Sequence, residues 1–382
     1  MSNDETILDE FLRQDRVLIT AEMHLAHGSF FQPTGFPDIG ACIYTDGTGK
    51  RRCLVESEQS MANRLEAVCM KAPGVWREPL AGELPVIRVE DKEGHLLATN
   101  LTEPHRIASS YVLEGLFQTG GETDENGQPD NEKTTLKAKV EEHVGIDGKV
   151  WPLDERDKLT QLVFALDPAA MLHGFQFMQW EAVGLRAARL LHARLEATLA
   201  GGDGEVHYGL VKVDGIEPGA SAAAKSNKGQ SIAARARYVP ESIEATFEID
   251  VLALREKPLL AARNGKAAAN TSRNEEARRF LLALALWKIH RFLTNAPSFD
   301  ARTGDTMGAL RLRADCSLAV GRVSWCGSRH GAAFRKAIPL ELDHLVTGDE
   351  NGVSSGLLAD PPFFKELLPF GLGLDTTVTY GK

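Results

Sequence analysis

Between Leu54 and Cys69 the chain reads LVESEQSMANRLEAVC, which gathers Ser57, Gln59, Ser60, Asn63, Arg64 and Glu66 at the start of one predicted amphipathic helix. Hydroxyl, amide and guanidinium groups at this density are mostly hydrogen-bond donors, and the chemistry they suit is the holding of an anion. Ser57 is placed to cap the helix, its hydroxyl accepting from an orphan N–H of the first turn. Met61, Leu65 and Val68, four and three residues apart, make the buried stripe. Asn63 and Arg64 fall off that stripe near the positive helix terminus, where backbone and side-chain donors converge on a group such as phosphate. The same pattern also fits a capped helix with a merely solvated polar face.

Other chemistry is sparse. His24 and His27 have an HxxH spacing, but no Glu completes an HExxH zinc helix and the surroundings read as strand and loop. The sequence has 11 histidines but no GxSxG elbow to present a nucleophile, and it lacks Walker A and GxGxxG phosphate loops. Asp38, in the aromatic glycine loop HGSFFQPTGFPDIG, is a lone acid for metal-assisted phosphodiester cleavage, and a single carboxylate more often caps its own loop than holds a metal. What remains is Arg, Lys, Ser, Asn and aromatic positions spread over loops. That set suits phosphate positioning and base stacking rather than acid–base catalysis, and it fits either a binder of single-stranded RNA or loops that carry ordinary solvated charges.

The elements that must position these groups read as α+β. Arg16–Leu25 alternates as a first strand, and Ala41–Tyr44 with Arg52–Val55 form a hairpin around DGTGK. Two short strands flank Asp91–Gly94, and Glu103–Phe117 reads as a helix carrying His105, Arg106 and Ser109. Trp180–Ala200 is helical by period, ended by Gly201 and Gly202. A strand at Glu205–Ile216 runs into a small basic segment, Ile243–Leu254 is a strand, and Glu275–Leu293 is the strongest helix, with Asn274 as its cap. A strand pair near Leu310–Ser324 and a strand at Thr376–Tyr380 follow. Elements alternate without a regular repeat, which favours α+β with long insertions; the length permits one elaborated domain or two, and a single domain over residues 1–382 is the expectation.

With 43% apolar and 25% charged residues the composition is that of an ordinary soluble protein, and the longest apolar run, Phe280–Trp287, is far short of the roughly 20 residues a membrane span needs. The acidic opening MSNDETILDEFLRQDR is not a secretory signal, and a cytoplasmic location is expected. Cys42, Cys53, Cys69, Cys316 and Cys326 form no CxxC pair and are expected to be free structural thiols. The net charge of −10 excludes nucleic-acid binding by bulk electrostatics, but charge is uneven. Residues 217–240 hold Lys225, Lys228, Arg235 and Arg237, and Thr306–Lys336 hold six bases against Asp315 alone. By contrast residues 120–158 form an acidic insertion expected to be solvated or partly disordered.

The motifs PTGFPDIG, LVESEQSMANRLE, LTEPHRIASSYV, YGLVKVDGIEP, FLLALALWKIHRFL and LRLRADCSL, in that order, resemble the backbone subunit of type I-G (formerly I-U) CRISPR effector complexes. That subunit belongs to the Cas seven family of the RAMP superfamily. The resemblance runs from about residue 17 to about 325, and residues 120–158 and 343–362 lie outside it. It departs at Tyr208-Gly209-Leu210-Val211-Lys212, where the family is richer in a Gly-Gly-Val-Lys pattern.

The resemblance implies a ferredoxin-like, RRM-type palm with long insertions, described as fingers and thumb, the 217–240 segment being the thumb-like loop. It implies a non-catalytic subunit of a Cascade complex in antiviral defence that polymerises along guide RNA (crRNA) and presents its bases to target DNA. The partners implied are guide RNA, target DNA through the guide, further copies of the chain and other Cascade subunits, with no cofactor, metal or membrane. Carried over by position, Ser57, Gln59, Ser60, Asn63 and Arg64 are guide phosphate and sugar contacts. His105, Arg106, Ser109, Lys212, Lys225, Asn227 and Lys228 are candidates for the groove wall and thumb. Phe30, Phe31 and Phe36 stack on bases or seal a subunit contact, and Glu66 orients Arg64 or Arg106. The alternative is a metal-dependent, target-RNA-cleaving subunit that uses Asp38.

Overall fold

A computed structural model describes residues 7–36, 39–118, 133–147, 150–152, 155–180, 186–201, 205–206, 210–214, 230–234, 236–260, 267–301, 304–313, 316–345, 362–370 and 372–380. The chain is α+β. Its largest sheet has seven strands, β1 (Arg16–Leu25), β2 (Ile43–Thr45), β3 (Arg51–Glu56), β4 (Leu191–Leu199), β5 (Pro240–Asp250), β6 (Leu318–Ser328) and β7 (Ile338–Pro339). Their spatial order is β7-β6-β1-β5-β4-β3-β2, antiparallel throughout. Since β1 and β4 are each antiparallel to the β5 between them, they run parallel to one another.

Alternation builds the buried face. Val17, Ile19, Ala21 and Met23 of β1 pair in register with Ile249, Phe247, Ala245 and Ile243 of β5, which in turn face Leu191, Ala193, Leu195 and Ala197 of β4. All twelve side chains are buried. The intervening positions point the other way and, Leu18 apart, are polar, as in antiparallel sheets with one wet face. There Glu22, Glu244 and Glu196 stand in one row across three strands, and Arg322 and Arg194 pair with the two outer ones.

Helices α1 (Ile7–Leu12), α2 (Glu58–Ala67), α3 (Ser110–Leu113), α4 (Leu136–Val144), α5 (Arg156–Leu166), α6 (Pro168–His173), α7 (Val251–Glu256) and α8 (Ala267–Leu293) complete the framework. From Phe280 to Ile289 every side chain of α8 is buried, the pattern of a helix enclosed on all sides. Phe292 meets Phe247 with ring centroids 6.0 Å apart, and Phe11 of α1 meets Trp325 of β6 at 4.6 Å. Arg291 of α8 donates through Nε to the carbonyl of Val68 at 3.0 Å, satisfying an orphan acceptor at the negative end of α2. No helix among the described residues is long and apolar enough to cross a membrane.

A second, five-stranded sheet joins Val86–Glu90 and Leu96–Thr99 to Leu116–Gln118, Lys133–Thr135 and Asp375–Thr379. The β1 strand, the hairpin, the Asp91–Gly94 turn and the final strand are as the sequence predicts.

Several expectations are corrected. Trp180–Ala200 is not a helix: its second half is β4, in which Leu191, Ala193, Leu195 and Ala197 point inward while His192 and Arg194 are exposed. Pairing with β3 and β5 outweighs the local helical period. Glu103–Phe117 breaks into a 3-10 turn at Arg106–Ala108, the short α3 and a strand. The strand through Ile243 ends at Asp250, whose carboxylate caps α7 by accepting from Ala253 N at 2.8 Å. Asn274 lies inside α8 and instead accepts from Leu259 N and Leu260 N, at 3.0 and 3.1 Å. Within the acidic insertion α4 is packed, with Leu136, Val140 and Val144 buried, and residues 119–132 lie outside the described residues.

Candidate functional site

Ser57 ends the hairpin and caps α2, its Oγ accepting from Ser60 N at 3.3 Å. Met61, Leu65 and Val68 are fully buried, which turns Gln59, Asn63 and Arg64 away from the core. Along that outer face Gln59 Nε2 donates to Asn63 Oδ1 at 3.1 Å, one turn on, while Arg189 Nη2 donates to Gln59 Oε1 at 2.8 Å.

Behind this face lies Glu56, only 1% exposed. Burying a carboxylate is costly unless it is paired, and here three groups converge on it. Arg64 Nη2 is 2.7 Å from Oε1, Ser60 Oγ donates to Oε2, and Arg313 Nη1 is 3.4 Å from Oε2. Arg64 also donates through Nη1 to the carbonyls of Arg311 at 2.8 Å and Ala309 at 3.3 Å. The guanidinium thereby ties the segment before β6 to the start of α2.

An open cleft of about 900 Å³ results. One wall is Ser57, Gln59, Ser60, Asn63 and Arg64, and the facing wall is Ser298–Ala301, Asp305–Gly308 and Arg311–Arg313. Arg64 and Arg313 meet at Glu56 beside the start of the helix, and Glu66, Glu103, Asp300 and Asp305 also line the cleft.

Beneath the cleft is a buried polar cluster. Arg106, 5% exposed, grips Glu66 of α2 with two nitrogens, Nη2 lying 2.9 Å from Oε2. Asp167 caps α6, accepting from Ala170 N at 3.1 Å, and also accepts from Ile107 N at 3.2 Å. Burial pushes its carboxyl up to about 6. Lys288 Nζ lies 2.9 Å from His173 Nε2 with both side chains buried, and burial followed by the lysine charge drives His173 well below its ordinary value.

Residues 17–201, just under half of the chain, match the family of CRISPR-associated protein GSU0053. Over those residues the chain is similar to that CRISPR-associated family. Among solved structures it is similar to Csc2 of Thermofilum pendens, at 11% identity and a TM-score of 0.34, over 95% of this chain and 90% of that one. It is also similar to a chain of a "CRISPR RNA-guided surveillance complex, pre-nicking", at 12% identity and a TM-score of 0.32, over 81% and 78%. Likenesses this remote carry no weight for what the chain binds. No curated protein matches.

The first motif is brought together as a unit: Ser57, Gln59, Ser60, Asn63 and Arg64 all line the cleft. The second motif is not. His105 is exposed, but Arg106 and Ser109 are buried, with Arg106 spent on Glu66 and Ser109 donating to Glu103 Oε2 at 2.7 Å while capping α3. Both therefore shape the cleft floor from behind instead of forming a groove wall. Of the two pairings expected for Glu66, the one with Arg106 is found, while Arg64 pairs with Glu56. Lys212 lies on a ribbon strand, Leu210–Asp214, paired with Gln230–Ala234, while Lys225, Asn227, Lys228 and Asp38 lie outside the described residues.

Phe31 is buried and exchanges backbone hydrogen bonds with Tyr238, so it seals the chain's own core. Phe30 is partly exposed beneath the Arg237 guanidinium, 4.9 Å from the ring centroid. Among the described residues, Asp91, Glu93 and His95 form a cluster of metal-ligating types, on an exposed turn that Asp91 itself caps; His24 and His27 belong to none. Sequence reasoning missed Glu56 and the 298–313 wall. The excess of bases in Thr306–Lys336 was the available signal for Arg311 and Arg313.

Proposed function

We propose that this chain is a non-catalytic, guide-RNA-binding backbone subunit of a Cascade-type CRISPR complex, and that the cleft at the start of α2 holds the guide's backbone. The carrying observation is convergence: five polar residues predicted from one motif, a helix N-terminus and Arg311 and Arg313 from a distant segment meet at one end of one open cleft. Such a set holds phosphates and sugars without reading bases, which leaves sequence to pairing.

The strand order supports reading the sheet as a ferredoxin-like, RRM-type palm. Its middle four strands run β6-β1-β5-β4, with the connection from β1 to parallel β4 passing through α2 and that from β5 to β6 through α8. An ordinary RRM stacks bases on aromatics of its open face. Here the outward positions paired across β1, β5 and β4 carry no Phe, Tyr or Trp, and Arg322 and Arg194 are already paired with Glu22 and Glu196, so the cleft is favoured over the sheet. In this reading the chain polymerises along the guide, meets target DNA through it and contacts other subunits at the filament ends, in the cytoplasm.

Purified protein should carry an absorbance ratio of 260 to 280 nm characteristic of bound RNA. After RNA removal it should retain single-stranded RNA on filters at low salt, with affinity falling steeply as salt rises. Protein that carries no RNA and binds none at low salt overturns the reading.

A further inference from the structure

Glu56 is a fully buried acid that touches the cleft's donors without itself lining the cleft. It ends β3, one residue before the α2 cap, and its two oxygens are shared among Arg64, Ser60 and Arg313. These partners come from α2 and, in Arg313, from a segment 257 residues further along the chain. All three line the cleft.

Charge alone makes a carboxylate at this place unfavourable for anion binding, because it cancels part of the field of two guanidiniums. Its burial changes that. Arg64 and Arg313 are long, flexible side chains that lose rotamer freedom when they meet a phosphate. A shared, immobile acceptor behind them fixes both guanidiniums before the phosphate arrives, and preorganised donors bind more tightly than mobile ones.

We propose that Glu56 is a positioning residue for the polyanion, holding Arg64, Arg313 and Ser60 in the arrangement that successive phosphates meet. This rests on the reading of the cleft as the RNA-backbone site.

The two accounts of Glu56 differ in sign. If it acted only through charge, Glu56→Gln would tighten RNA binding. Positioning predicts weaker binding despite the added positive charge. The test uses the full chain, a single-stranded RNA and a salt titration, with folding of each variant followed by circular dichroism. Expected for Glu56→Gln is an affinity loss of at least about tenfold. A log–log salt slope shallower by about 0.7 to 1.4 is also expected, corresponding to one or two lost phosphate contacts on a single strand. Glu56→Asp is the second variant, since it keeps the charge and withdraws the oxygens. The charge account predicts wild-type binding for it, whereas positioning predicts the same direction of loss as for Glu56→Gln.

Unchanged or tighter binding by whichever variant folds overturns the proposal, as does a lowered melting temperature with unchanged affinity and slope. Wild-type protein that fails to bind RNA overturns both the proposal and the reading beneath it, which separates the two failures.

Discussion

Arg106 and Glu66 are joined across forty residues by a two-pronged ion pair, Nη2 to Oε2 measuring 2.9 Å, and this pair locks the 3-10 turn between two strands of the second sheet onto the helix that carries the cleft. Arg106 holds a left-handed backbone, φ 55°, which a bulky L-residue adopts only when its surroundings impose it. The motif residue that looks most like an RNA contact is thus a structural tie.

Removing one partner of a buried pair leaves the other uncompensated. Arg106→Ala is expected to lower unfolding stability by about 3–5 kcal/mol in urea titration. Arg106→Lys is expected to recover little of it, because an ammonium cannot reproduce the two-pronged contact. Full recovery by lysine would show that charge alone holds the tie.

The cleft arginines divide by role. Arg64→Ala removes the close partner of Glu56 and should cost about 3 kcal/mol of stability. Arg313, more exposed and farther from Glu56, should be replaceable by alanine within about 0.5 kcal/mol. Arg313→Ala should still weaken RNA binding and make its salt dependence shallower by about 0.7 per lost contact. Equal effects of both variants on stability would remove this distinction.

The Ser57 cap is an isolated term. Ser57→Ala should cost about 1 kcal/mol, and Ser57→Asp should restore most of it. The measurement is the urea midpoint at constant slope.

Asp167 and His173 act on pH stability in opposite directions. The raised carboxyl of Asp167, at about 6, lets the folded chain keep a proton that the unfolded chain has shed, so its contribution is present at low pH and lost as pH rises through 6. The depressed His173 contributes stability above the ordinary histidine value of 6.5 and loses it as pH falls, because the unfolded imidazole takes a proton that the folded one refuses. As pH falls below 6 the two offset one another. Asp167→Asn keeps a capping side chain and removes the offset, so its stability should fall more steeply than that of the native chain as pH drops from 6 toward 4, by at most about 1.4 kcal/mol per pH unit. Parallel pH profiles would show that these two groups do not set the balance.

What the sequence made legible was local. The α2 cap and stripe, the hairpin and β1 follow from short-range pattern, and the structure has them where the pattern puts them. β4 was misread because Leu191 and Leu195 satisfy a four-residue helical spacing and a two-residue strand spacing equally, and neighbours distant in sequence chose between them. Glu56 was invisible for the same reason. A Glu beside a Ser cap reads as solvated until a segment near residue 313 folds over it. Arg106 shows the converse, where a charged residue in a polar motif reads as a contact although its partner lies one helix away, at Glu66.

The central claim, that the cleft between α2 and the 298–313 segment holds the guide backbone, is tested most directly by ultraviolet cross-linking of RNA-bound protein followed by peptide mapping. The account predicts cross-linked peptides covering residues 57–67 and 298–313. Cross-links confined to the open face of the large sheet, at β1, β4 and β5, with none at the cleft, would contradict it.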